Sequence, residues 1–292
     1  MKNGKAVLKN IECFSPRDIF DNGQSFRFYK VGEQQYEGVA HGRFLRVAKT
    51  DETVTLFPVS HTDYEAVWKH YFDLETDYTA LFCDCEDKAL ARGKEFGRGL
   101  RVLNQEPFET LVSFIVSANN NVARIRGIIA RLCELCGKPF EFEGKKYYAF
   151  PEPQALASLP EEELRKCGCG YRAPYIHQAA AMVAQGFGLE EIRMLPYAEA
   201  KKRLRLLPGV GPKVADCVLL FSLGFRDAFP ADVWIKRVMA QHYGFRGNDK
   251  QIYEYAREKF GDYSGIAQQY LFFMQREAAR PQNKDKTENG LK

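Results

Sequence analysis

Apolar and polar residues alternate along the first part of the chain. Gln24-Ser-Phe-Arg-Phe-Tyr-Lys-Val31, Gln35-Tyr-Glu-Gly-Val-Ala40 and Arg43-Phe-Leu-Arg-Val-Ala48 put successive side chains on opposite faces, the period of a half-buried strand. Gly32 and Gly42 punctuate these runs as turn residues, and Thr53-Val-Thr-Leu-Phe57 supplies a fourth strand. The pattern predicts an antiparallel sheet with one buried face. From His61 the period lengthens: Tyr64, Val67, Trp68 and Tyr71 fall on one helical stripe, and helical spacing dominates the remainder of the chain. The exception is Phe140-Glu-Phe-Glu-Gly-Lys-Lys-Tyr-Tyr148, where two short runs flank a glycine and predict a hairpin. The expected fold class is α+β, with an N-terminal antiparallel sheet domain and flanking helices over 1–100 and a mainly helical domain over 101–280. The polar, uncapped end from Asn283 to Lys292 predicts a disordered tail over 281–292.

The chain has 292 residues, 45% hydrophobic and 27% charged, a balance suited to two or three packed globular lobes. No apolar run approaches the ~18 residues of a membrane span. Met1-Lys-Asn-Gly-Lys-Ala-Val-Leu-Lys9 lacks a signal-peptide core and a transit-peptide pattern. The expectation is a soluble intracellular protein without a membrane partner, cytoplasmic and nucleoid-associated in a bacterium. A net charge of +4 does not by itself advertise nucleic-acid binding. Lys201-Lys-Arg203 with Arg205, and Arg165-Lys166 with Arg172, are local basic clusters that fit either a solvated helix face or a phosphate contact.

Of the eight cysteines, Cys133 and Cys136 have zinc-like spacing. They share one helical stripe with Ile125, Ile128, Ile129 and Leu132, however, which makes them core residues. No second such pair stands nearby, so no cysteine-bound metal is expected.

The most informative stretch is Lys201-Lys-Arg-Leu-Arg-Leu-Leu-Pro-Gly-Val-Gly-Pro-Lys-Val-Ala-Asp-Cys217. The spacing predicts a helix ending at Leu206 or Leu207, a tight reversal through Gly209, Val210 and Gly211, and a new helix with Pro212 as its first residue. Glycines let the backbone approach a ligand closely, and a helix N-terminus offers unpaired N–H groups and a positive dipole end. Together they suit a phosphate. On this pattern alone a phosphate anchor is the favoured role for Lys213, ahead of a nucleophile.

This stretch, with Phe229-Pro-Ala-Asp232 after it, resembles the helix–hairpin–helix–Gly/Pro–Asp superfamily of base-excision DNA glycosylases. The similarity to one branch, the 8-oxoguanine DNA glycosylase/AP lyases, covers most of the chain. It includes Asn22-Gly-Gln-Ser-Phe-Arg27, Ser117-Ala-Asn-Asn-Asn-Val-Ala-Arg-Ile125, Gly170-Tyr-Arg-Ala173 and Ala267-Gln-Gln-Tyr-Leu-Phe272. The resemblance implies a bifunctional enzyme acting on double-stranded DNA that contains oxidised guanine, preferably opposite cytosine. It assigns Lys213 as the nucleophile that forms a Schiff base, and Asp232 as the carboxylate stabilising positive charge on the sugar. The amine must be neutral to attack; desolvation favours that form more than the ~0.3–1 kcal/mol of a helix N-terminus.

The same resemblance gives the Gly23 carbonyl the task of accepting N7–H, the hydrogen that guanine lacks. It implies that Cys217 and Phe272 sandwich the flipped base while Gln268 contacts its pairing edge. Tyr171 is implied to wedge into the stack, and Asn119, Arg124 and Arg172 to hold the orphaned cytosine. No cofactor and no iron–sulfur cluster is implied, beyond a labile cation on the backbone carbonyls of Arg205, Leu207 and Val210, and the enzyme is expected to act as a monomer. The chain departs from the family's eukaryotic members at Trp234, where they carry a histidine. An imidazole contact to phosphate is lost there, though an indole N–H can donate one bond.

Two other readings differ in testable features. An endonuclease-III-like or adenine-removing relative would carry four cysteines after the hairpin for an iron–sulfur cluster, and no cysteine follows Cys217. A non-catalytic hairpin module would need neither Lys213 with Asp232 nor Gly23 and Phe272.

Overall fold

The computed structural model of the chain describes residues 4–83 and 85–279; the tail expected at 281–292 lies outside them. Strands β1 (Ala6–Lys9), β2 (Phe28–Gly32), β3 (Gln35–Ala40), β4 (Arg43–Thr50) and β5 (Thr53–Phe57) form one antiparallel sheet in the order β1-β5-β4-β3-β2. Leu45, Val47, Val54 and Leu56 point from it into a core with Phe20, Trp68, Tyr71 and Phe72. The helical stripe expected from His61 supplies Trp68 and Tyr71, with a π-helical turn at Tyr64–Trp68. The β3–β4 turn puts His41 at φ 51° and Gly42 at φ 64°, the two left-handed residues a tight hairpin requires. The second hairpin is present as β6 (Pro139–Phe142) and β7 (Lys145–Tyr148), and Phe142 stacks on Phe44 at 4.5 Å.

Two features of the sheet differ from the sequence expectation. A fifth strand, β1, pairs with β5; it is too short for its alternation to stand out, and only Ala6 is buried. Residues 24–27 are not strand. Phe26 and Phe28 alternate because they serve different cores, Phe26 in the helical lobe and Phe28 under the sheet. Between the lobes the buried Gln24 acts as a cross-link. Its Nε2 donates to the carbonyls of Ile19 (2.9 Å) and Arg101 (2.8 Å), and its Oε1 accepts from Leu103 N–H (2.9 Å).

Six helices of the second lobe build the site: α1 (Pro107–Ser117), α2 (Val122–Cys136), α3 (Tyr197–Leu204), α4 (Pro212–Ser222), α5 (Val233–Tyr243) and α6 (Ser264–Ala279). The stripe of α2 is buried as expected through Cys133, whose thiol burial pushes up to about 12; Cys136 is half-buried. Helix α3 stops at Leu204, earlier than the sequence suggests. The amides of Leu206 and Leu207 bond back three residues, to Arg203 and Leu204, tightening the chain into turns.

Gly209 follows at φ 79°, and a Cβ there would lie 2.8 Å from Tyr175 Cβ, so conformation and space both demand glycine. Gly211 is different. Its backbone is extended (φ −80°, ψ 177°), and a Cβ would meet nothing within 4 Å. The protein's own packing does not demand glycine at Gly211, which leaves the backbone open to approach from outside. Helices α3 and α4 are locked together by Lys201 Nζ (2.8 Å) and Tyr197 OH (2.9 Å), both donating to the buried Asp216 carboxylate. Burial pushes that carboxyl up to about 6 against the pull of the Lys201 ammonium. No helix among the described residues is long and apolar enough to cross a membrane.

Candidate active site

Lys213 is the second residue of α4, and its ammonium nitrogen lies 4.9 Å from the centre of the Phe114 ring on α1. One turn further on, Cys217 lies on the same face of the helix as Lys213. Burial pushes this thiol up to about 12, with Lys213 pulling the other way, so near neutral pH it is an uncharged surface and not a thiolate. Asp232 begins α5. Its Oδ1 accepts the Ile235 N–H at 2.9 Å, so it caps the helix while its residue also lines the cavity beside Lys213. From α6, Gln268 and Phe272 contribute one turn apart. Gln268 is 3% exposed; its Nε2 donates to the Pro230 carbonyl (3.2 Å) and its Oε1 accepts from Gln269 (2.5 Å).

Gly23 lies in the bend before β2 at φ 88°, and a Cβ there would meet nothing within 4 Å. Hydrogen bonds brace it on both sides. Gln24 N–H donates to Asn22 Oδ1 (3.0 Å), and the Gln24 carbonyl accepts from Gln105 Nε2 (2.8 Å). The sequence alone favours a plain turn glycine here, and the turn is real, but it faces the cavity.

These segments meet in a crevice of about 50 Å³, lined by Gly23, Lys213, Cys217, Asp232, Gln268 and Phe272 together with Asn22, Phe114, Phe221, Pro230 and Gln269. It opens into a chamber of about 550 Å³ that shares Asn22, Gly23, Phe114, Lys213, Asp232 and Phe272 and adds Ser117, Asn120, Asn121 and Trp234. Asn22, Phe114 and Pro230 received no role from the sequence. Periodicity marks none of them, because each belongs to a different segment and they meet only in the fold.

Outside the crevice the expected DNA contacts separate into two kinds. Tyr171 (56% exposed), Asn119 and Arg124 project to solvent, and Trp234 is 41% exposed with the Arg237 guanidinium 5.3 Å over its ring. Arg172, by contrast, is only 4% exposed. Its Nε donates to the Ala118 carbonyl (3.1 Å), and a terminal nitrogen donates to the carbonyls of Ala118 and Asn119. The guanidinium therefore braces the loop in which Asn119 takes φ 50°, and it also lies 4.3 Å over the Tyr171 ring. At the hairpin, Gly209, Val210 and Gly211 lead into the unpaired N–H groups of α4. The Leu207 carbonyl already accepts the Val210 N–H at 3.2 Å. Among the described residues no group of three or more His, Cys, Asp or Glu side chains could hold a metal, so a cation at the hairpin would rest on backbone carbonyls.

A phosphate-ready hairpin that runs straight into a cavity lysine, with a carboxylate in the same cavity wall, defines a DNA-processing enzyme of the helix–hairpin–helix class. Residues 6–111 match the family model of the 8-oxoguanine DNA glycosylase N-terminal domain, and residues 112–262 match that of the HhH-GPD superfamily of base excision DNA repair proteins. The chain belongs to this family, as an N-glycosylase/DNA lyase of the 8-oxoguanine branch. A probable N-glycosylase/DNA lyase of Methanothermobacter thermautotrophicus is 36% identical over 70% of this chain and 72% of its own length. An N-glycosylase/DNA lyase of Arabidopsis thaliana is 34% identical over 87% of this chain and 75% of its own. Among solved structures, the Clostridium acetobutylicum 8-oxoguanine glycosylase/lyase in complex with double-stranded DNA containing cytosine opposite 8-oxoguanine superposes with a TM-score of 0.91. It is 39% identical, over 95% of this chain and 97% of that one.

Proposed function

We propose that this enzyme flips 8-oxoguanine out of duplex DNA, prefers it opposite cytosine, and excises it through a Schiff base on Lys213. The observation that carries this reading is the convergence of Gly23, Lys213, Cys217, Asp232, Gln268 and Phe272 on one crevice from separate segments of the chain. The neutral Lys213 amine forms a bond to C1′ while the C1′–N9 bond breaks, and the base leaves with the electron pair and takes up a proton. Asp232 stabilises the positive charge that develops on the sugar. Opening of the sugar ring gives the Schiff base; loss of a C2′ proton then expels the 3′-phosphate and cuts the strand. None of these steps calls for a redox cofactor or an iron–sulfur cluster. The protein acts as a monomer inside the cell, and a cation on the hairpin carbonyls would serve only to bridge to phosphate.

A purine would lie between Cys217 and Phe272, which both line the crevice. Incubation with a duplex carrying one 8-oxoguanine in the presence of borohydride should yield a covalent protein–DNA adduct. Failure to form it with an active preparation would sink the mechanism.

Two substitutions examine the finer assignments. Gly23→Ala adds a methyl in a left-handed backbone conformation, so the segment carrying the N7–H acceptor must shift. It should lose excision of 8-oxoguanine far more than affinity for an abasic-site analogue; equal losses would reduce Gly23 to a folding residue. Opposite-base choice rests on the exposed Asn119 and Arg124, with Arg172 bracing their loop. Cytosine offers two acceptors to such donors, whereas adenine presents an amino group to them. An unpaired desolvated donor gives a preference of roughly 10- to 100-fold. Excision opposite cytosine, adenine, guanine and thymine should show this preference in the wild type, and Arg124→Ala should lose most of it.

A further inference from the structure

Asn22 is 2% exposed and lines both the crevice and the chamber. Its Nδ2 is buried without a hydrogen-bond partner, and of the buried unpartnered side-chain atoms among the described residues it alone belongs to the crevice wall. The orientation of the amide is fixed, because Oδ1 accepts the Gln24 N–H at 3.0 Å and turning the group over would set two donors against each other. Asn22, a residue of the cavity wall, therefore holds an unspent donor next in sequence to the Gly23 carbonyl.

Depth in the cavity says what that donor meets. Cys217, Pro230 and Gln268 line only the crevice, whereas Asn22, Gly23, Lys213 and Asp232 line the crevice and the chamber alike and so mark its mouth. In 8-oxoguanine the C8 carbonyl carbon is bonded to N7 and to N9, the atom that carries the sugar. A base with C1′ at Lys213 and its pairing edge toward Gln268 thus holds O8 at the mouth and O6 in the depth. We propose that Asn22 is a base-contacting residue whose Nδ2 donates to O8. Asn22 and Gly23 then form a two-point reader of the cyclic urea edge that oxidation creates, a donor for C8=O and an acceptor for N7–H. Guanine leaves both unanswered, since it has a C8–H and an N7 lone pair. The inference rests on the proposed 8-oxoguanine substrate and extends the recognised class to any purine with the same edge, 8-oxoadenine included.

Two variants test it. Asn22→Asp keeps the oxygen that accepts the Gln24 N–H but replaces the donor with a second acceptor; Asn22→Ala removes both. Excision of 8-oxoguanine opposite cytosine should fall about 100-fold in Asn22→Asp and about 10-fold in Asn22→Ala. Cleavage at a preformed abasic site, which has no base to read, should fall far less in both. Affinities of Asn22→Asp for uncleavable 2′-fluoro duplexes carrying 8-oxoguanine or 8-oxoadenine should drop by a similar factor. Equal losses on 8-oxoguanine and on abasic DNA would make Asn22 a folding or phosphate residue and overturn the proposal. An unchanged affinity for 8-oxoadenine would move the contact to C6 and overturn it as well. If the wild type excises 8-oxoguanine and Asn22→Asp does so equally well, only this inference fails; a wild type inactive on 8-oxoguanine removes the substrate reading itself.

Discussion

Lys213→Gln is expected to bind duplex DNA with nearly wild-type affinity while losing borohydride trapping altogether and excision on the order of 10⁴-fold. Glutamine keeps most of the side-chain stem that reaches toward the Phe114 ring and removes only the amine. The cation–π contact at 4.9 Å contributes ~0.5–1 kcal/mol, so stability should fall by no more than about that amount. What disappears is the nucleophile, and an amide cannot form an imine. The phosphate-anchor role that the hairpin pattern also permits makes the opposite forecast. There, affinity drops and the slope of log K against log salt becomes shallower by about 0.9, the loss of one phosphate contact. Gel-shift titrations at several salt concentrations, run beside trapping assays, separate the two. A Lys213→Gln protein that still traps would exclude Lys213 as the nucleophile.

The helix that carries Lys213 was legible in the sequence on physical grounds, whereas roles for Gly23, Cys217, Gln268 and Phe272 came from the family resemblance alone. Pro212 after Gly211 announces a helix start, and that alone locates Lys213 in the first turn and Cys217 on the same face one turn later. The sheet was legible where strands are long and one-sided, as in β4, and illegible in β1, whose four residues bury one side chain. Residues 24–27 misled because alternation records only that neighbours face different surroundings. Here those surroundings are two cores and a web of hydrogen bonds around Gln24, not the faces of a sheet.

The arginines show the other limit. Arg124 and Arg172 look equivalent as letters, yet Arg124 stands in solvent while Arg172 is bound to the carbonyls of Ala118 and Asn119. Local pattern does not reveal which carbonyls a distant loop will offer. The same holds for Asn22: only the fold shows its Oδ1 accepting the Gln24 N–H and the other end of its amide left unpaired in the cavity wall.

Asp232→Asn should reduce excision by roughly 10²- to 10³-fold, about 2.7–4 kcal/mol of transition-state stabilisation, while leaving the melting temperature nearly unchanged. The two roles of this residue are separable because they use different properties. Capping needs an oxygen that accepts the Ile235 N–H, now at 2.9 Å, and asparagine caps about as well as aspartate. Stabilising a cationic sugar needs negative charge, which asparagine lacks. Asp232→Ala removes both and should add a stability loss of about 1 kcal/mol to the same catalytic defect. Excision rates under single-turnover conditions, set beside thermal unfolding of both variants, give a two-by-two comparison. If Asp232→Asn excises at the wild-type rate while Asp232→Ala is slow and less stable, the carboxylate is a helix cap alone. If both variants are slow and only Asp232→Ala melts early, the charge acts on the sugar, and the cap holds it in the cavity wall beside Lys213.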